Sequence, residues 1–345
     1  MTRILVLGGT AFLGREVARQ AVTAGYDVTC LARGSAPPPE GVMFVAGDRD
    51  EDDGLHAVAG HRWDAVVDVT LHPVHVHRAV RDLETDHWVF VSTANVYEPG
   101  AGLDESAPLL EPFTGERMSA MEEYGPAKVA CEEAYRQSGR TATIARAGLI
   151  GGPGDVSGRS GYWPWRFAHP VHPGHPMHPM HHHEYGEAGQ RAEGALPEVV
   201  VPDDPDYPTA LIDVRDLAGW LVRAATEKLD GAYNVTGPTV PLGQALAAAA
   251  EAAGSRARPR PIPPARLAEL GVSGWMGPAS LPLWIDDPAL RGFGTLDTRR
   301  AVGSGLVTRP LVETFRDVLP FEEARQDPRR CGLDDADEAR VLREA

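Results

Sequence analysis

The sequence opens on a short apolar run, Ile4-Leu5-Val6-Leu7, that stops at paired glycines and continues as a helical pattern through Gly8-Gly9-Thr10-Ala11-Phe12-Leu13-Gly14. A β-rich run, a glycine turn and a helix, in that order, constrain the fold strongly. The open amides at the helix start face whatever the turn encloses, and the helix dipole favours an anion there. Gly8 would permit the tight turn and Gly14 would let the helix pack closely on the strand, which is the arrangement of a dinucleotide-binding βα turn. Its plainer alternative is an ordinary strand-to-helix connection. The pattern repeats along the first half of the chain. Strands are predicted at residues 4–7, 27–31, 42–45, 65–69, 87–91 and 141–145, with helices at 12–23, 72–83 and 121–137. Strands joined by helical crossovers make a parallel sheet covered on both faces. The expected class is therefore α/β, a Rossmann-type doubly wound parallel sheet with a smaller C-terminal substrate-binding domain.

Composition narrows the partners. The 345 residues are 43% hydrophobic and 24% charged, ordinary globular usage, and the net charge of −16 disfavours nucleic acid and anionic membranes. No run of 18 apolar residues is present, so no membrane span is expected. The first apolar run is too short for a secretory h-region. Cys30, Cys131 and Cys331 are odd in number and far apart, which fits a reducing, cytoplasmic setting without a disulfide framework. The expected partner is a small-molecule substrate, and a homodimer is left open.

Regular alternation loosens after residue 150. The dinucleotide-binding domain is placed at 1–150, and the family resemblance that the motifs below carry implies that 211–236 returns to it. Residues 151–210 and 237–325 form the substrate-binding region, and 326–345 a charged tail expected on the surface. The Pro-rich run 258–264 is expected to be a loop. The stretch Tyr162-Trp163-Pro164-Trp165 is open between lining an apolar or ring-shaped substrate and plain domain packing. In the His/Pro-rich insert 169–183, His169, His172, His175, His178 and His181 recur every third residue. In polyproline II geometry such rings stand about 9 Å apart, too far for neighbours to share a tetrahedral zinc. No metal site is expected, and the insert is expected to be a low-complexity segment, at most a mobile lid.

Tyr124-Gly125-Pro126-Ala127-Lys128 places a phenol and an ammonium four residues apart, on one face of a helix. A phenol titrates near pH 10 unaided, and a neighbouring ammonium favours the phenolate, bringing Tyr124 toward working pH as a proton donor or acceptor. These motifs together resemble the extended short-chain dehydrogenases/reductases, the NAD-dependent epimerase/dehydratase group, in an atypical reductase-like form in which Ala11 stands where most members carry a glycine. The resemblance implies a Thr93, Tyr124 and Lys128 site, with Thr93 placed by Val96-Tyr97 and Ser92 as its fallback. It implies cofactor contacts from Gly8, Thr10, Ala11, Phe12, Leu13, Gly14, Arg33, Asp48 and Lys128, with Asp48 on the adenine and Lys128 on the ribose. Ala32 and Arg33 stand where NAD-binding relatives carry an acidic residue. An arginine can pair with a 2′-phosphate, so NADP(H) is favoured over NAD(H), with Arg33 stacking on adenine or facing solvent as the alternative.

The resemblance also implies, through Leu149 and Thr209 at positions where sugar-nucleotide members carry Asn and Arg, a weakened diphosphate site. The leading expectation is an NAD(P)-dependent oxidoreductase reducing a carbonyl or oxidising an alcohol. An epimerase/dehydratase acting on a sugar or sugar nucleotide is the alternative. A non-catalytic cofactor-binding or RNA-binding relative is the third reading, opposed by the intact Tyr124/Lys128 pair and the acidic charge.

Overall fold

The computed structural model describes residues 1–171 and 196–345. They fall into two units. The first comprises Met1–Val156, Ala210–Thr239 and Ala289–Arg309, and the second comprises Ser157–Thr209, Val240–Pro288 and Pro310–Ala345.

The first unit is built on seven strands: β1 (Arg3–Leu7), β2 (Asp27–Ala32), β3 (Met43–Ala46), β4 (Ala65–Asp68), β5 (His87–Thr93), β6 (Thr141–Ala147) and β7 (Gly231–Val235). They lie in the order β7-β6-β5-β4-β1-β2-β3, all parallel. Helices α1 (Phe12–Thr23), α2 (Pro73–Asp82), α3 (Tyr124–Arg136) and α4 (Val214–Glu227) accompany it. The two-residue period of a strand sends successive side chains to opposite faces. In β1, Ile4 and Val6 join a core with Val17 and Ala18 of α1 and Leu217 and Leu221 of α4. Leu5 and Leu7 join another with Val76 of α2 and Cys131 and Tyr135 of α3. Both faces are covered, so the strands read as continuous apolar runs rather than alternating ones.

Local sequence sets the helix ends. Pro73 stands at the start of α2, where its missing amide is no loss. Asp213 caps α4 by accepting the Arg215 amide, and Lys228 ends that helix in the left-handed region at φ 52°. Strand order reverses between β1 and β4, and the ends of these two strands lie together, with Leu7 opposite Asp68. In open sheets this switch point is where ligands bind.

In the second unit Glu198–Pro202 pairs in parallel with Arg258–Ile262, so the Pro-rich run expected as a loop is largely a strand. Its register and hydrogen bonding override its composition; the Arg258 amide donates to Pro197 O just outside the pair. The tail also differs from expectation. Asp335–Glu344 is a helix with Glu338 and Val341 buried, capped by Asp334. Glu338 is held by Arg166 at 3.3 Å and accepts the Val200 amide. Ala289–Arg309, assigned from sequence to the substrate-binding region, belongs to the first unit. No described helix is long and apolar enough to cross a membrane.

The first unit also buries a charged network. Glu132 of α3 and Arg146 of β6 form an ion pair at 2.8 Å, with exposures of 0% and 2%. Tyr97 Oη, which accepts from Arg146, donates in turn to Asn234. Removing one member of such a pair strands a buried charge. Glu132→Ala is expected to lower unfolding stability by about 3–5 kcal/mol. Denaturant titration checks this, and a loss under about 1 kcal/mol would mean that Arg146 finds compensation elsewhere.

Candidate nucleotide-binding and catalytic site

The glycine turn sits at the switch point. Gly8 has φ 91°, the left-handed region, and its amide donates to Leu31 O at 2.9 Å. A Cβ on Gly14 would fall inside the contact distance of the Gly8 carbonyl oxygen. The helix therefore starts against its own turn only because Gly14 has no side chain. Ala11 lies extended at φ −121°, a conformation open to any residue, so the departure from glycine costs nothing locally. The left-handed step falls instead on Phe12, at φ 28°. Thr10 and Leu13 are buried beneath the turn. No side chain caps α1, and its first turn carries no acidic residue. Its amides are therefore open to an anion, and the cradle fits a dinucleotide pyrophosphate.

Two further expected contacts lie at the ends of neighbouring strands. Arg33 follows β2, is exposed, and makes no hydrogen bond or ion pair with the described residues. Asp48 follows β3, half-buried, and accepts the Asp50 amide through Oδ1.

The three expected catalytic residues come from adjoining elements. Thr93 ends β5, and its Oγ1 accepts the Asn95 amide at 3.3 Å. Tyr124 begins α3, half-buried. Gly125, next to it, lies so close to the Asn95 carbonyl that a Cβ there would collide. This approach seats the start of the tyrosine helix against the turn that follows Thr93. One helical turn on, Lys128 is 2% exposed, and its Nζ donates to Thr70 O at 2.7 Å and Val91 O at 2.5 Å. It also lies over the Phe90 ring at 4.5 Å. Burial pulls the Lys128 ammonium down to about 8, against the opposing influence of Cys131, Asp68 and Glu132. The fallback Ser92 is committed elsewhere: it donates to Glu132 at 2.5 Å. Thr93, one residue on, is left as the hydroxyl beside the tyrosine helix.

The sequence reading missed the support beneath these groups. Asp68, fully buried at the end of β4, accepts both Arg49 terminal nitrogens at 2.7 and 2.8 Å, the Tyr135 hydroxyl at 2.5 Å and the Thr70 amide at 2.9 Å. Burial pushes its carboxyl up, but the Arg49 charge and these hydrogen bonds outweigh it and hold the carboxyl below its usual range. The available signal was an aspartate ending an apolar strand, Ala65-Val66-Val67-Asp68. Arg49 also donates to His75 O, so it ties the loop after β3, which carries Asp48, to the end of β4 and the first turn of α2.

The aromatic stretch is packing. Tyr162 and Trp163 are fully buried in the helix Tyr162–Ala168, and Trp163 donates to Pro282 O. Of the histidine insert, His169 faces Glu323 at 2.7 Å, and residues 172–183 lie outside the described residues. Leu149 is buried in a strand and Thr209 is buried in the second unit.

Residues 4–72, the segment holding the glycine turn, Arg33, Asp48 and Asp68, match the NAD dependent epimerase/dehydratase family. Over 141 residues the chain is 34% identical to 2′-dehydrokanamycin reductase of Streptomyces kanamyceticus. That match covers 39% of this chain and 38% of the relative, well under half of either. Two solved structures share the fold across almost the whole chain. The Bordetella bronchiseptica enzyme WbmH in complex with NAD+ has a TM-score of 0.62 at 18% identity, covering 94% of this chain and 99% of that one. UDP-glucose 4-epimerase from Thermotoga maritima, solved with UDP-glucose, has a TM-score of 0.64 at 16% identity, covering 93% and 99%.

The close packing of Gly14 on Gly8 carries a test. Gly14→Ala should force α1 away from Gly8 and weaken dinucleotide binding at least about tenfold, roughly 1.4 kcal/mol. Titration of protein fluorescence with NADPH and NADH checks it. Unchanged affinity for both would show that the turn does not hold the pyrophosphate.

Proposed function

We propose that the protein is an NAD(P)-dependent oxidoreductase that interconverts a carbonyl and an alcohol on a small organic substrate. The observation that carries this reading is the seating of the Tyr124 helix against the Thr93 turn, with Lys128 buried one turn further on. The residues present fit a nicotinamide dinucleotide. The turn Gly8–Gly14 would hold its pyrophosphate, Asp48 its adenine, and Lys128 its nicotinamide ribose. When bound, the nicotinamide supplies or accepts the hydride.

The protein's own part is to orient the substrate and move one proton. The Thr93 hydroxyl accepts from the Asn95 amide, so its proton is available to a substrate carbonyl oxygen. Tyr124 Oη gives a proton to that oxygen in reduction and takes one in oxidation. The buried Lys128 ammonium favours the phenolate and so lowers the cost of losing that proton. The fixed backbone carbonyls of Thr70 and Val91 keep the ammonium in place without neutralising it.

The reductase named among the relatives supports net reduction over a closed redox cycle. The family description, and the epimerase named among the fold neighbours, favour the second reading: an epimerase or dehydratase that reduces and reoxidises a retained cofactor. NADP(H) is the proposed cofactor, supported by Ala32 and by the exposed Arg33, which has no ion pair among the described residues. The protein remains proposed to act on a small molecule, without nucleic acid or membrane, in the cytoplasm.

Tyr124→Phe should keep cofactor affinity and lose about 10²–10⁴-fold in turnover across a panel of ketones. Near-normal turnover would remove Tyr124 from the proton transfer. Arg33→Ala should weaken NADPH more than NADH in parallel titrations. Tighter binding of NADH than NADPH by the unmodified protein would reverse the cofactor assignment.

A further inference from the structure

Lys128 is held by two backbone carbonyls, and the two are anchored differently. Val91 lies within β5, fixed by the sheet. Thr70 lies in the loop between β4 and α2, where no sheet bond holds it. It is fixed instead on three sides. Its amide donates to the buried Asp68 carboxylate at 2.9 Å. Its Oγ1 meets His75 Nδ1 at 2.8 Å, and its carbonyl takes the Lys128 ammonium at 2.7 Å. His75 is itself held from behind, its Nε2 on Asp50 Oδ1 at 2.7 Å, and Asp50 is paired with Arg117. The chain Asp50–His75–Thr70–Lys128 thus runs from an exposed carboxylate to a fully enclosed ammonium.

We propose that Thr70 and His75 are positioning residues for Lys128, the hydroxyl–imidazole bond fixing the loop carbonyl that receives the ammonium. With Nε2–H donated to Asp50, Nδ1 accepts the Thr70 hydroxyl proton, and Oγ1 keeps its lone pairs for the His72 amide at 3.3 Å. The threonine side chain then has one rotamer that satisfies all its partners, and its carbonyl has one direction. A buried ammonium depends on such fixed dipoles, because no water replaces one that swings away. If the hydroxyl or the imidazole is lost, the carbonyl loses one of its three anchors, its direction is less fixed, and the charged form of Lys128 loses stabilisation. The catalytic consequence rests on the oxidoreductase reading above, but the positioning of the ammonium does not.

The sequence supplies an unusually clean readout, because Lys128 and Lys228 are its two lysines. Protein labelled with ¹³Cε-lysine therefore gives two side-chain signals. Lys228, which pairs with Asp86 at 3.1 Å on the surface, serves as the internal reference. Titration of the Lys128 signal between about pH 6 and 11 is expected to show its midpoint move down by about half a pH unit or more in Thr70→Val and in His75→Leu. The Lys228 curve should not move, and Thr70→Ser should restore the unmodified midpoint. Thermal melts of each variant establish that the comparison is between folded proteins, and His75→Gln replaces His75→Leu if the latter does not fold. An unmoved Lys128 midpoint in the folded Thr70 and His75 variants overturns the proposal. So does a serine variant that shifts as far as the valine one. If the midpoints move but the unmodified protein turns over no ketone or alcohol, the oxidoreductase reading fails and the positioning stands. If turnover is found and the midpoints stay, the reverse holds.

Discussion

The approach of α1 to its own turn underlies everything else in the first unit. With no side chain on Gly14, the helix begins in contact with the Gly8 carbonyl, and Gly8 takes the φ of 91° needed to leave β1. That contact points the free amides of the helix into the crevice between the ends of β1 and β4. The same crevice receives Asp68 at the end of β4 and Thr70 in the loop that follows. The open start of α1 and the anchors of Lys128 therefore share one strand boundary. The geometry of one cannot shift far without disturbing the other.

A second constraint is the handling of buried charge. Asp68, Lys128, Glu132 and Arg146 are all nearly or wholly enclosed, yet each meets oppositely charged or hydrogen-bonding groups. Such groups are costly to bury and more costly to strand, so they fix which elements sit side by side. Glu132 illustrates the division of labour along α3. One turn beyond Lys128, it ties the helix to β6 through Arg146 and occupies the Ser92 hydroxyl. Lys128 itself is left with backbone carbonyls, which hold a cation without neutralising it. Burial weakens its hold on the proton relative to an exposed lysine, and the two carbonyls work against that loss by stabilising the charged form.

The parallel sheet was legible because its signals are local. Apolar runs, a glycine turn and helical spacing all lie within a few residues of one another, and the Tyr124–Lys128 spacing is a property of one helix. What the sequence hid was long-range. Nothing near Asp68 in the chain announces Arg49 and Tyr135 as its partners, and Glu132 and Arg146 lie on different elements. The Pro-rich strand at Arg258–Ile262 was hidden because its pairing with Glu198–Pro202 outweighs a composition that favours loops. The charged tail read as a surface segment because its few buried residues are diluted among charges. Its Glu338 looks like a solvated carboxylate until Arg166 is placed beside it. Ala11 was an apparent defect in the glycine pattern. In the structure Ala11 is extended and Phe12, the next residue, takes the positive φ.

The proposed reaction is net hydride transfer at a carbon whose oxygen exchanges a proton with Tyr124. The most direct measurement is the fate of deuterium from NADPH labelled at the transferring C4 position, followed by mass spectrometry of the product of the best ketone. Net reduction puts one deuterium on the carbinol carbon of the product for each oxidised cofactor formed. Product formed without label, with the cofactor returned in its starting oxidation state, would contradict it and place the chain among enzymes that only borrow the hydride.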